Sequence, residues 1–265
     1  MATHGVAWQE NIDTATLFSI NNVVDDVLTR SGTERYLVPP DYRFIHWVLA
    51  SGPNLTRAAI VTPSLGVRRE NYEIVPRRRG ANTLSLLGPE IFKPTRPTEL
   101  TGGEEIEAQA AEDAVGLSQA NIIAALGPAE LPPMPDGDIR RVRATASVTL
   151  TAFAWTSVSF TVDSTFEPGT YALVGFLPIS ANVLAARANI RGQQYRPVMP
   201  GFAGTEAAAV DHDPALWSML MGYTMGSFTH ITIPEIQFFS AVADTSETLF
   251  LYAIRTGAAP GGTPA

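Results

Sequence analysis

Apolar and β-branched residues occur along this chain in short runs that proline and glycine separate. The clearest alternation lies in residues 149–162, where Thr and Ser at odd positions are interleaved with Leu150, Val158, Phe160 and Val162. A period of two places successive side chains on opposite faces of a β-strand. The chain has 20 prolines and 21 glycines. Short β-prone runs between such breakers are typical of an all-β sandwich or barrel.

The same pattern predicts strands in both halves of the chain. They are 16–20, 42–50, 57–62, 72–75, 104–113 and 120–126 in the first half, and 144–162, 171–177, 228–233, 235–242 and 248–255 in the second. Residues 104–113 also suit a helix, because Thr101 and Glu104 fit a capping box. We favour a strand there, because the internal repeat described next aligns this segment with strand-like residues 235–240. One helix is predicted over 214–221, with Asp213 as its N-cap.

Four segments of the first half resemble four segments of the second half in the same order. Residues 42–51 align with 171–180, 57–60 with 187–190, 105–106 with 235–236, and 118–126 with 246–254, so the spacing stays between 128 and 130 residues. Internal repeats constrain architecture more than any single element does. Residues 127–137 lie between the copies, and four of these eleven residues are proline, which is typical of a linker. The predicted domains are therefore 1–130 and 131–265.

Composition narrows the function without identifying it. Apolar residues make up 45% of the chain and charged residues only 17%, with a net charge of −8 and a pI near 5.0. The acidic balance argues against a dedicated or sequence-specific nucleic-acid partner. Since there is no cysteine, disulfides and thiolate chemistry are excluded. The first residues lack a signal-peptide pattern, and no uncharged apolar run is long enough to cross a bilayer.

Metal-binding chemistry has weak candidates. The four histidines, His4, His46, His212 and His230, are far apart in the sequence. The tightest group of ligand-type residues is Asp211, His212 and Asp213, but adjacent residues chelate one ion poorly and Asp213 is the expected helix cap. We expect no metal, although an ion at these three residues stays open.

Catalytic and phosphate-binding patterns are also missing from the sequence. No serine stands in a Gly-x-Ser-x-Gly turn, and the glycines of residues 101–104 are followed by acid, which repels phosphate. A solvated acidic segment is the favoured interpretation of the carboxylates Glu104, Glu105, Glu107, Glu112 and Asp113. The sequence therefore predicts no catalytic residue and no cofactor.

The sequence has one cluster of basic residues, formed by Arg77, Arg78 and Arg79 with Arg68 and Arg69 upstream. It suits an anionic lipid, a nucleic acid or an acidic patch on a neighbouring chain, and an ordinary solvated loop is favoured over all three. The role of the three consecutive arginines stays open. The Asn54–Thr56 segment matches a glycosylation sequon, which we interpret as accidental.

Two β-rich halves of similar length joined by a proline-rich linker resemble the double jelly-roll major capsid proteins of tailless icosahedral viruses. The resemblance rests on residues 42–51 against 171–180, the linker 127–137 and the helix-bearing excursion 201–225. It implies two tandem eight-stranded jelly-roll sandwiches with short helices in loops. It further implies homotrimers of pseudo-hexagonal outline that tile a virus shell, and no enzymatic activity.

The resemblance also implies partners and a location. Neighbouring capsomers are expected, and minor capsid or penton proteins and an internal membrane are further candidate partners. The basic residues 68–79 would then be candidates to face that membrane. The expected location is the virion, with assembly in the host cytoplasm.

Two other classes of function stay open. The first is a tandem β-sandwich that binds a receptor or carbohydrate on a virion, for which Trp217 and Tyr223 are candidate exposed aromatics. The second is a two-domain cupin-like enzyme, which is less favoured because the chain has no His-x-His pair for a metal.

Overall fold

The computed structural model describes residues 3–52, 54–68, 72–74, 77–78, 96–113, 117–163, 166–180, 182–201, 222–240, 242–243 and 247–258. The chain divides into two units. The first comprises Thr3–Glu130, with which Phe153–Trp155 are grouped, and the second comprises the rest of the described chain from Leu131 onwards. None of the helices described has the length and hydropathy that crossing a bilayer requires.

Strands dominate both units. The first contains β1 (His4–Ile12), β2 (Phe18–Ser19), β3 (Arg30–Ser31), β4 (Arg35–Leu37), β5 (Phe44–Gly52), β6 (Leu55–Val61), β7 (Tyr72–Ile74), β8 (Arg77–Arg78), β9 (Thr98–Glu99), β10 (Glu105–Glu112) and β11 (Ser118–Gly127). It also has a 3-10 turn at Pro40–Tyr42 and a short helix, α1, at Pro63–Arg68. The second contains β12 (Ile139–Ala146), β13 (Trp155–Val158), β14 (Thr161–Val162), β15 (Gly169–Ile179), β16 (Val183–Asn189), β17 (Val198–Pro200), β18 (Gly226–Thr229), β19 (Glu235–Ser240) and β20 (Glu247–Ala258).

The two units share one strand order. In the first, one sheet has the order β1, β11, β5, β9 with β8 also beside β5, and the other has the order β2, β10, β6, β7 with β4 and β3 added beside β10. In the second, the corresponding orders are β12, β20, β15, β18, with β14 added beside β12, and β13, β19, β16, β17. In each unit, the chain passes repeatedly from one sheet to the other through these eight strands, as in a jelly roll. The predicted fold class, two tandem all-β jelly-roll sandwiches, is confirmed.

Several predicted strands lie at the right position in the sequence but differ in length from the observed strands. The segment 104–113 is a strand, as predicted. The first strand is β1, which the pattern missed, and the predicted strand 16–20 shrinks to two residues. The predicted strand 144–162 is divided among three strands, because residues 147–154 and 159–160 lie outside them. Strand β16 and helix α1 were not predicted, and the predicted helix 214–221 lies outside the described residues.

Large aromatic side chains fill the space between the two sheets of each unit. Trp8 from β1 and Tyr36 from β4 meet edge to face, with ring centroids 5.2 Å apart, and both are fully buried. In the second unit, Tyr171 and Phe228 stack at 5.7 Å and Phe166 packs against both rings. Edge-to-face and offset pairs are the favoured aromatic geometries and add to the hydrophobic gain of burial.

The connection between β2 and β4 covers the outer edge of β1. Gln9 N donates to Asn21 O at 2.8 Å, Val23 N donates to Ala7 O at 2.9 Å, and the single O–H of Tyr36 is shared between Ala7 O and Val23 O. An open strand edge is a template for unwanted pairing with another chain. Strand β11 pairs with one edge of β1, and this connection forms hydrogen bonds with the other edge.

The strand correspondence does not hold residue by residue. The sequence alignment superposes Ala58 on Ala188 and Ile106 on Ile236. In the sheets, however, Ala188 lies opposite Ile236, whereas Ala58 lies opposite Ala110, four residues from Ile106. The matched segments are equivalent strands in the correct order, but the alignment of their residues is wrong in register.

The Tyr36 hydroxyl provides a test of how the edge of β1 is held. Tyr36→Phe removes a donor from two buried carbonyls, so we expect a loss of about 1–3 kcal/mol in the free energy of unfolding. Tyr171→Phe is the matched control, since its hydroxyl donates to one half-buried carbonyl, Glu167 O, at 2.8 Å, and we expect a loss of about 1 kcal/mol. Denaturant unfolding measures both losses, and hydrogen exchange should show faster exchange in β1 only for Tyr36→Phe. Equal losses would contradict this role.

Candidate functional site

The structure places the described histidines in separate structural contacts. His4 Nε2 lies 3.3 Å from Asp25 Oδ2, and both side chains are fully buried. Asp25 Oδ1 accepts from Val27 N and Leu28 N at 2.7 and 2.9 Å, so the contact between His4 and Asp25 fixes a turn in the connection between β2 and β4. His46 Nε2 lies 2.8 Å from Pro128 O, and His230 Nδ1 accepts from Gly169 N at 3.2 Å.

The predicted acidic segment divides into different environments. Glu104 accepts from Ser64 N and Thr101 N, at 2.8 and 2.6 Å, and so caps the start of α1. Glu105 and Glu107 face outward and both bind Arg35, at 2.9 and 2.8 Å. Hydrogen bonds from Ser31 and then from Arg35 lower the pKa of Glu105. The prediction of a solvated acidic segment is right for Asp113, which is exposed, and wrong for Glu107 and Glu112, which are 9% and 1% exposed.

A cleft lies beside α1 in the first unit. Its volume is about 550 Å³, and its lining includes Val67 and Leu100 together with Arg43, Arg68 and Glu99. Arg43 Nη2 lies 3.0 Å from Glu99 Oε1, and Arg68 Nη2 donates to Glu99 O at 2.5 Å. Opposite charges across an apolar floor can orient a ligand, but these ionic groups already hold each other.

The cluster of basic residues is only partly within the described residues. The backbone of Arg77 and Arg78 forms β8, which pairs in parallel with Ser51 and Gly52. Their side chains, with Arg69 and Arg79, lie outside the described part. The role of Arg77, Arg78 and Arg79 therefore stays a prediction.

Two further sets of candidates have different outcomes. Asp211, His212, Asp213 and Trp217 lie outside the described residues. Tyr223 is 5% exposed and bridges to the backbone of Pro133. The expectation that Tyr223 is an exposed loop-tip aromatic was wrong, because its ring is part of the core of the second unit. Within the part of the chain that the structure describes, no cluster of acidic residues and histidines could hold a metal ion.

A buried polar cluster in the second unit was not predicted. Arg187 is 1% exposed and donates from Nε to Gln237 Oε1 at 2.7 Å, and Arg196 Nη1 donates to the same oxygen at 2.6 Å. Gln237 Nε2 in turn donates to Ser157 Oγ at 3.2 Å. The sequence signal was present, since Arg187 and Gln237 sit in β-prone runs, but only the pairing of β16 with β19 brings them together.

An ion-pair cluster lies at one end of the second unit. Glu167 contacts both Arg140 and Arg255 at 3.1 Å. Arg140, and more weakly Arg255, lower the pKa of Glu167. All three side chains are exposed, and exposed pairs of this kind contribute little to stability. The cluster therefore marks a polar surface and does not identify a reactive site.

Comparison with known proteins gives one structural similarity. No protein-family model matches the chain, and no curated protein matches it. The chain is similar to the major capsid protein P2 from Bacteriophage PM2, with 11% identity over 98% of this chain and 100% of that chain, at a TM-score of 0.24. A TM-score this low does not establish a shared fold.

Replacing the shared acceptor of the two buried arginines should destabilise the second unit. Gln237→Leu leaves Arg187 and Arg196 without this oxygen, so we expect a loss of about 2–3 kcal/mol in the free energy of unfolding. Gln109→Leu is the matched control, because Gln109 lies on the outer face of the equivalent strand and donates to Glu107 at 3.0 Å. Its expected loss is below about 1 kcal/mol. Denaturant unfolding of both variants tests this, and a larger loss in the control would contradict it.

Tyr72 should make the first unit sensitive to alkali. Burial raises the pKa of Tyr72 to about 12, and a hydrogen bond with Thr98 partly offsets the rise. Since the phenol ionises near pH 10 in the unfolded chain, its contribution to stability is complete below about pH 10 and is lost as the pH rises to about 12. The ultraviolet spectrum of phenolate and unfolding at several pH values measure this. Tyr72→Phe should remove the Tyr72 step, and an unchanged profile would contradict the assignment.

Proposed function

We propose that this chain is a structural coat protein that assembles into a virus shell. One observation carries the proposal: two tandem units have the same order of eight strands, in both of their sheets. A chain that repeats one sandwich supplies two equivalent building blocks in a fixed ratio. The proposal assigns no catalytic step to either unit.

Symmetry explains why such a duplication is useful for a shell. Three copies of the chain contribute six units of one fold, and a closed ring of three has self-consistent contacts between neighbours. A ring of six related units has a pseudo-hexagonal outline, which tiles a flat facet. We therefore propose a homotrimer as the unit of assembly, arranged on an icosahedral shell.

Surface chemistry supports extensive association. Only 17% of the residues are charged, which lowers the desolvation cost of covering a large surface. Permanent assemblies bury about 2,000–5,000 Å² in each interface, and such interfaces are depleted in charged residues at their centre. Neighbouring capsomers are the proposed principal partners, with minor capsid or penton proteins and an internal membrane as further ones. The proposed location is the virion, after assembly in the host cytoplasm.

The oligomeric state of the purified chain tests this function. Light scattering after size-exclusion chromatography, and native mass spectrometry, should give a mass three times the 28.4 kDa of one chain. The trimer should persist on dilution, because a coat protein must remain associated at low concentration. A stable monomer at every concentration would contradict the proposal. Electron microscopy of native source material should then show shell facets built from six-lobed units.

A further inference from the structure

Val67 is an apolar side chain that projects from α1 into solvent. It is 85% exposed, the highest value among the large apolar side chains in the part of the chain that the structure describes. The helix packs onto the first unit through Leu65, which is buried, so Val67 is not needed to hold the helix in place. A single exposed apolar residue is ordinary on a protein surface. The cleft beside Val67 is what distinguishes this one.

That cleft offers an apolar hollow next to the apolar projection. Its floor includes Leu100, which is 2% exposed, and Val67 itself lies in the lining. The volume of about 550 Å³ is in the range of pockets that enclose a ligand, so an aliphatic side chain and its neighbours fit inside. One patch of the first unit therefore carries both a side chain that can fill a hollow and a hollow that can receive one.

The rim of the cleft carries both signs of charge. Arg43 Nη2 lies 3.0 Å from Glu99 Oε1, and the two side chains are 47% and 52% exposed. About half of each group therefore stays accessible to a further partner. A rim with one sign of charge would repel an identical rim, whereas this rim attracts its own copy when the arginine of one faces the glutamate of the other. The charges thus favour a second copy of the chain as the occupant.

We propose that the cleft beside α1 is a contact surface for a second copy of the chain, in which Val67 of each copy enters the cleft of the other about a two-fold axis. A two-fold contact requires a surface that is complementary to itself, and the projection, the hollow and the two charge signs meet this requirement within one patch. The contact deepens the proposed coat function, on which it rests. Because a closed ring of three has no two-fold axis, the contact joins one trimer to the next.

The first experiment compares the wild-type chain with Val67→Asp and Val24→Asp. Val24 is the matched control, since it is a valine of the same unit, is 66% exposed and lies in the connection between β2 and β4. Sedimentation velocity over a series of concentrations measures association beyond the trimer. Wild type and Val24→Asp should associate equally. Val67→Asp should associate at least about 100-fold more weakly, because the two-fold axis replaces two buried valines at once.

Charge reversal tests how the two copies are oriented. Arg43→Glu sets like charges against each other across the axis and should weaken association by about tenfold, and Glu99→Arg should do the same from the other side. The double variant Arg43→Glu/Glu99→Arg should recover wild-type association, because opposite charges face each other again. A double variant that associates no better than the single variants would overturn the two-fold arrangement.

The outcomes separate this contact from the coat function. A stable trimer whose further association is unchanged in Val67→Asp, or equally weakened in Val24→Asp, would overturn the contact and leave the coat function intact. A chain that forms no trimer but forms a dimer that Val67→Asp abolishes would contradict the coat function and support the contact. Wild-type chain that shows no association beyond the trimer up to the millimolar range would also overturn the contact.

Thermal unfolding guards against a structural effect of the substitution. At a dilution where no association beyond the trimer remains, Val67→Asp and Val24→Asp should have the same Tm, because both side chains are exposed in a single copy. A Tm for Val67→Asp well below that of Val24→Asp would show that Val67 is covered within its own chain, and would overturn the contact.

Discussion

Each unit depends on its last strand, which is hydrogen-bonded on both sides to strands from much earlier in the chain. Strand β11 lies between β1 and β5, and β20 lies between β12 and β15. A strand in this position has both edges satisfied by backbone partners. In β11, residues 120–126 are buried on both faces, which explains why this run is apolar except for Asn121 and does not alternate. Without the last strand, the first strand would keep an open edge and the interior would be exposed.

The fold class was predictable because short runs of β-prone residues and the frequent prolines and glycines between them indicate strands and turns locally. Long, strongly apolar strands such as β11 and β20 were located from sequence, since burial on both faces requires apolar residues throughout. Strand β1 was missed because Gln9, Glu10 and Asn11 in its second half are polar and its pairing with β11 is distant in sequence. Helix α1 was missed although Pro63 occupies its first position, a recognised start signal. Register was not predictable, because bulges such as the one at Thr56 shift the facing residues by one.

The surroundings of polar and ionisable side chains were harder to predict than the strands. The described histidines lie in separate contacts, and the buried contact of His4 with Asp25 depends on a connection that only the folded chain defines. Arg187 and Glu112 illustrate the main difficulty, since a charged residue in a sequence is expected at the surface. Whether such a residue faces inward depends on the parity of its position along the strand. Glu112 has the same parity as the buried residues Ile106, Ala108 and Ala110 of β10, so its place in the alternation, and not its charge, indicates its environment.

The pairing of β1 with β11 also has a consequence for synthesis. Their first partners, His4 and Leu126, are separated by almost the whole first unit. Contacts between such distant residues form slowly, because a long loop must close before they stabilise anything. During translation, β1 must therefore wait on the ribosome surface until β11 has left the exit tunnel. The second sandwich emerges only afterwards, so the nascent chain can complete one body before the other begins to compete for its strands.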